Sequence, residues 1–134
     1  MGRILAIDFG MKRTGIAVTD EMRLIASGLT TVLTKDLMPF LEDYFRAEKV
    51  DEIVVGEPTN ADGTPSPIER NIAFFIEDFQ KKFPAISVKR ENERYTSKMA
   101  FQTMIDGGLK RKKRRNKATL DQISATLILQ SYLH

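Results

Sequence analysis

The stretch Ile4-Leu5-Ala6-Ile7-Asp8-Phe9-Gly10 decides the fold. Four apolar residues in a row read as a strand buried on both faces. Asp8 follows where that strand leaves the core, and a carboxylate there needs a cation or hydrogen-bond donors to meet it. Gly10, two residues on, allows a sharp turn or the close approach of another group. Two readings stand side by side: an aspartate capping its own turn, or a metal or phosphate site at the mouth of a sheet.

Downstream, Met11-Lys12-Arg13-Thr14 and Gly15-Ile16-Ala17-Val18-Thr19-Asp20 read as a tight hairpin into a second strand, with Lys12 and Arg13 at its tip beside Asp8. These two cations are placed either to pair with Asp8 or to bind a phosphate approaching the same spot. Ile25 to Leu33 is rich in Thr, Val, Ile and Leu and predicts a third strand, completing an antiparallel meander.

The period then changes. Leu37, Phe40, Leu41, Tyr44 and Phe45 fall on one helical face, with Thr34 as the expected N-cap. Asp51 to Gly56 is a short apolar strand, so strand, helix and strand form a parallel crossover. Glu57 to Pro65 is a loop of turn-forming residues. Ser66-Pro67-Ile68-Glu69 predicts a helix start, with Ser66 and Glu69 as a capping box and Pro67 in the first turn. Ile68, Ile72, Phe75, Ile76, Phe79 and Phe83 form that helix's apolar stripe. Ile86 to Arg90 predicts a fifth strand, polar enough to lie at an edge.

A third helix is expected from Thr96 or Ser97 to Gly107-Gly108. Thr119-Leu120-Asp121-Gln122 repeats the capping-box pattern ahead of a last helix, with Leu120, Ile123, Leu127 and Leu129 or Leu133 on its inner side. The expected architecture is α/β: a mixed five-stranded sheet, three strands antiparallel and then two parallel, flanked by helices in a single domain of residues 1–134.

Bulk properties exclude several classes. The chain has 134 residues and no cysteine, so disulfides and thiolate metal sites are absent, and the lone His134 sits at the C-terminus. No apolar run has the length of a membrane span, and the sequence goes straight into a predicted strand with no secretory signal visible, so a cytoplasmic setting is expected. The net charge is only +3, but Lys110-Arg111-Lys112-Lys113-Arg114-Arg115 is an unbroken basic block, followed by Lys117. Such a run is either a solvated loop or a surface for phosphates, where each neutralised contact releases counterions.

Three carboxylates fall at predicted element ends: Asp8, Glu93 and Asp121. Each has a local explanation: a turn cap for Asp8, a pair with Arg94 or Lys98 for Glu93, a helical first turn for Asp121. Converging at one sheet edge beside a basic loop, the three would demand a cation. Oxygen ligands without His or Cys select Mg2+ or Mn2+. Two such ions are a known device for hydrolysing a phosphodiester.

Four motifs in order carry a resemblance spanning essentially the whole chain: Ile4 to Val18 (ILAIDFGMKRTGIAV); Gly56-Glu57-Pro58 with Asn60 to Thr64; Asn92 to Ser97; and Lys117 to Leu133. Together they resemble the YqgF family of RuvC-like, ribonuclease-H-fold nucleases, described as Holliday junction resolvases and as pre-16S ribosomal RNA nucleases. The resemblance implies a ribonuclease-H-like domain in which Asp8, Glu93 and Asp121 are catalytic and hold Mg2+ or Mn2+. It implies nucleic-acid contacts from Lys12, Arg13, Arg94, Lys117 and the basic block Lys110, Arg111, Lys112, Lys113, Arg114 and Arg115. It also implies a protein that acts on structured RNA or branched DNA as a monomer or weak homodimer. Asn92 stands where the family usually has Asp, and Glu57 where it usually has Leu. Two alternatives compete: a nucleic-acid-binding module without catalysis, suggested by Asn92, and an ATP-binding domain like those of actins and sugar kinases, which share the first-strand Asp-x-Gly.

Overall fold

The computed structural model describes residues 2–92 and 117–134, with 117–119 as backbone. Strands β1 (Arg3–Asp8), β2 (Arg13–Thr19) and β3 (Ala26–Leu33) form the expected meander. A short 3-10 turn (Thr34–Asp36) leads into α1 (Leu37–Ala47), followed by β4 (Val50–Glu57), α2 (Glu69–Lys82), β5 (Ser87–Asn92) and α3 (Lys117–Leu133). The sheet order is β3-β2-β1-β4-β5, with β4 parallel to β1 and β5 parallel to β4. β5 lies at an edge, as its polar sequence predicts. The expected helix at 96–107 and the basic block at 110–115 lie outside the described residues.

Alternation along the central strands divides the core in two. Leu5 and Ile7 of β1, Ile16 of β2, and Ile53 and Val55 of β4 face α1 and α2, where they meet Leu37, Leu41, Ile72, Phe75 and Phe79. The aromatic rings continue outward, with Phe45 edge-on to Phe79 and Phe83 at 6.0 and 5.0 Å between centroids. Both predicted helical stripes are borne out. On the opposite face Ile4, Ala6, Ala17 and Val54 meet Ala125, Ile128 and Leu129 of α3. This second layer mixes alanines with Ile4, Val54, Ile128 and Leu129, and two sheet glycines lie under the helix. A Cβ at Gly28 would stand 3.3 Å from Thr126 Oγ1, and one at Gly15 would overlap the Asp121 backbone. α3 therefore lies unusually close to β2 and β3.

That closeness corrects the reading of α3. Ser124, Ala125, Ile128 and Leu129 are buried, whereas Leu120, Ile123 and Leu127 are only half-buried. Leu129 is buried as expected, and Ile128 beside it; Ser124 and Ala125 share that face because α3 comes close to the sheet over Gly15 and Gly28. The helix also includes Lys117, so Thr119 to Gln122 lies inside it instead of capping it.

The other two expected caps are also replaced. Thr34 Oγ1 donates to the Gly10 carbonyl at 2.6 Å and lies 2.9 Å from Thr14 Oγ1, tying the β1–β2 turn to the end of β3; α1 has no side-chain cap. Glu69 does not close a capping box with Ser66. Its carboxylate takes a two-pronged pair from Arg90, at 2.5 and 2.9 Å, and α2 starts at Glu69 without a side-chain cap. A half-buried guanidinium offers more donors than one backbone N–H, and the carboxylate follows it. Among the described residues no helix is long and apolar enough to cross a membrane.

Candidate active site

The C-terminal end of β1 organises the site. Asp8 is the last residue of that strand. Ile4 and Ala6 face α3, so alternation puts Asp8 on the α3 side of the sheet. Directly across the β1–β2 ladder from Asp8 is Gly15. Gly15 in turn underlies Asp121: a Cβ there would overlap the carbonyl oxygen and carbon of Asp121 and come within 3.0 Å of its Cβ. Cross-strand partners have Cα atoms about 5 Å apart, so Asp8 and Asp121 sit on one face within roughly 10 Å of each other. Two of the three predicted carboxylates, 113 positions apart along the chain, are thus brought together by one glycine.

Asp121 lies one turn inside α3, and the first turn carries no acidic residue. A helix-dipole explanation for its position therefore falls away, because that effect fades beyond the first turn. Arg13 pairs with Asp121, its Nε lying 3.4 Å from Oδ2, with side chains 31% and 26% exposed. Arg13 opens β2 and shares the α3 face with Gly15 and Ala17. Lys12, one residue earlier, is exposed. Of the two cations that the sequence sets beside Asp8, Arg13 thus engages the distant Asp121.

Neighbouring strands end at the same edge. The β1–β4 register pairs Ile7 with Val55, so Gly56 follows alongside Asp8. Gly56 and Glu57 pair with Glu91 and Asn92 of β5. Arg90 locks this edge: its Nε donates to the Val55 carbonyl at 3.1 Å, Nη2 donates to the Gly56 carbonyl at 3.0 Å, and the guanidinium clasps Glu69 at the head of α2. Sequence reading missed this clamp. Its one signal was an arginine in an otherwise edge-like strand with an acidic helix start upstream. Glu57 is exposed, and alternation from Ile53 and Val55 turns it towards the α1–α2 side, away from the face of Asp8.

The loop after β4 is internally braced. Asp62 Oδ1 accepts from the Thr64 hydroxyl at 2.6 Å and from its N–H at 3.0 Å, which holds the Asp62 carboxyl below the usual carboxylate range. Asn60 Nδ2 donates to Thr64 Oγ1 at 2.9 Å, and Gly63 takes the left-handed conformation at φ 88° that the turn requires. Glu93 and Arg94, the remaining members of the predicted site on this side, lie outside the described residues, as do Lys110 to Arg115; the side chain of Lys117 is likewise not described. Among the described residues no group of three or more His, Cys, Asp or Glu side chains is placed to hold a metal.

Gly15 is the residue of this candidate site that the sequence reading passed over. A glycine inside the apolar run Thr14-Gly15-Ile16-Ala17-Val18 is itself a signal of close backbone approach.

Comparisons with known proteins identify the family and the fold. A relative from Christiangramia forsetii is 61% identical over 134 residues, covering 100% of this chain and 99% of the relative. One from Flavobacterium psychrophilum is 56% identical over 133 residues, covering 99% and 97%. Both are provisionally named as pre-16S rRNA nucleases. Among solved structures, a Fowlpox virus resolvase complexed with Holliday junction DNA superposes with a TM-score of 0.60 at 15% identity, covering 98% of this chain and 96% of that one. Thermus thermophilus RuvC in complex with a Holliday junction superposes with a TM-score of 0.59 at 14% identity, covering 98% and 93%. These two likenesses establish the resolvase-type, ribonuclease-H-like fold. The profile of the RuvX (YqgF) family, described as Holliday junction resolvase, matches residues 2–134, and with relatives at this identity over their whole length the chain belongs to that family.

Proposed function

We propose that residues 1–134 form one nuclease domain that hydrolyses phosphodiester bonds in nucleic acid with the help of divalent metal ions. The reading rests on the meeting of Asp8 and Asp121 across Gly15 on one face of the sheet. Membership of a resolvase family and relatives named for pre-16S rRNA cleavage support the same chemistry. We take the 5′ end of precursor 16S rRNA as the favoured substrate and the four-way DNA junction as the alternative, because the names of the nearer relatives point to the RNA.

The donor set fits Mg2+ or Mn2+. Asp8 and Asp121 offer hard oxygen ligands, and the guanidinium held against Asp121 marks a place that calls for positive charge. Asp8, Asp121 and Glu93 would hold the metal, which when bound supplies an activated water and stabilises the leaving oxygen. The chain's own part is to orient. β1 delivers Asp8 at a fixed strand end. Gly15 sets the height of Asp121 above the sheet. The Arg90 clamp fixes the edge from which Glu93 follows. Lys12, Arg13, Arg94, Lys117 and the 110–115 block supply cations along the nucleic acid.

A single-turnover assay with Mn2+ on 5′-extended 16S precursor RNA and on a four-way junction tests the proposal. Cleavage of the RNA that stops with EDTA is the expected result. Cleavage of neither substrate, with binding retained, would favour a binding module without catalysis.

The basic block has its own expected outcome. Replacing Lys112, Lys113, Arg114 and Arg115 with Ala should weaken binding alike for all sequences. The slope of log affinity against log salt should flatten by up to about 0.9 for each phosphate no longer neutralised. Affinity measured over a salt series checks this, and a sequence-selective loss would mean that the block reads bases.

A further inference from the structure

Two arginines reach carboxylates near the site, and they are held in different ways. Arg90 is saturated: two oxygens of Glu69 at 2.5 and 2.9 Å, and two main-chain carbonyls at 3.1 and 3.0 Å. That is the bonding of a structural residue. The Arg13 contact is long, Nε to Asp121 Oδ2 at 3.4 Å, against the 2.7–2.9 Å of a tight charge-assisted bond. Both side chains are partly exposed, at 31% and 26%, so the guanidinium has room to swing.

We infer that Arg13 is a placeholder cation: it neutralises Asp121 while no divalent ion is bound, yields that oxygen when an ion arrives, and then engages a substrate phosphate. The inference rests on the metal reading above. A guanidinium and a metal ion compete for the same carboxylate, and keeping both at contact would set like charges side by side. Arg13 stands two residues from Gly15 on the α3 face, at the outer lip of the site, where a displaced side chain meets whatever approaches from solvent. A guanidinium matches phosphate geometry in a way an ammonium does not. Lys12 has the same charge one residue away but is exposed, in the bend before β2. It therefore reports the general field without the specific contact.

The test is a Mn2+ titration of the full chain, followed by electron paramagnetic resonance at about 0.15 M salt, where distant charges are screened. Nucleic acid is left out. Arg13→Gln should tighten Mn2+ binding roughly two- to fivefold, the range that a partly exposed ion pair is worth. Lys12→Gln should shift it by less than half as much. RNA affinity is then compared in EDTA and in Ca2+, and Arg13→Gln should weaken binding more in Ca2+ than in EDTA. Equal effects of the two substitutions on Mn2+, or no effect of Arg13→Gln, would overturn the placeholder role. So would an equal loss of RNA affinity in EDTA and Ca2+. Absence of saturable Mn2+ binding by the unmodified protein would instead overturn the metal reading itself, and this inference with it.

Discussion

Asp8→Asn is expected to lower the single-turnover cleavage rate by at least about 10³-fold while leaving nucleic-acid affinity unchanged or slightly tighter. The size follows from position. Changing a residue that merely supports a metal ligand typically costs about 10- to 100-fold, and a ligand itself should cost more. Affinity should survive because it is carried by cations against phosphates, and Asp8→Asn removes a negative charge from beside them. Asn has nearly the shape of Asp, and Asp8 is half-buried at a strand end with its backbone in the β1–β2 ladder. The fold should therefore persist, which circular dichroism and the thermal midpoint would verify. A cleavage rate equal to that of the unmodified chain would remove Asp8 from the mechanism.

The parts of the fold that the sequence reveals are those where one pattern has one physical meaning. The four-residue apolar run before Asp8, the helical stripes of α1 and α2, and the polar character of β5 each correspond to a burial environment, and each is found there. The helix starts are different. A Ser, Thr or Glu at a helix start has several possible partners, and distant residues decide among them. Thr34 is drawn to the Gly10 carbonyl, and Glu69 to an arginine 21 positions on. The inner face of α3 is likewise set by what it packs on: the close approach over Gly15 and Gly28 buries Ser124 and Ala125 beside Ile128 and Leu129, and leaves Leu120, Ile123 and Leu127 half-buried.

The candidate site divides the same way. Acids at element ends alone would not single out Asp8 and Asp121, since Asp36, Glu48, Glu57 and Glu69 sit there too; these two stand out in the sequence because they fall within the motifs that carry the family resemblance. Their meeting is not legible from spacing. It depends on a backbone contact through a residue with no side chain, and on a strand register that places Gly15 opposite Asp8. The assignment of Arg13 to Asp121 is a consequence of that meeting and could only follow it.

Gly15→Ala carries the second large expected effect, and it probes that meeting directly. The added methyl would overlap main-chain atoms of Asp121, which belong to a helix and have no rotamer with which to yield. Either α3 lifts from the sheet or β2 bends. Overpacking of this kind costs about 1–3 kcal/mol, and the buried layer of Ala17, Ala125, Ile128 and Leu129 beside it would loosen as the helix shifts. A displacement near 1 Å of a group that must meet a reacting centre is worth about 10²-fold in rate. The expected result is therefore a lowered denaturation midpoint together with a cleavage rate reduced by roughly 10²-fold or more. Gly63→Ala is the comparison: Gly63 takes a left-handed φ but nothing lies within 4 Å of an added Cβ, so its cost is local strain alone. It should destabilise the protein without comparable loss of cleavage per folded molecule. If Gly15→Ala instead cleaves at the rate of the unmodified chain, the height of Asp121 above β2 does not matter to the chemistry, and the pairing of Asp8 with Asp121 across Gly15 is structural.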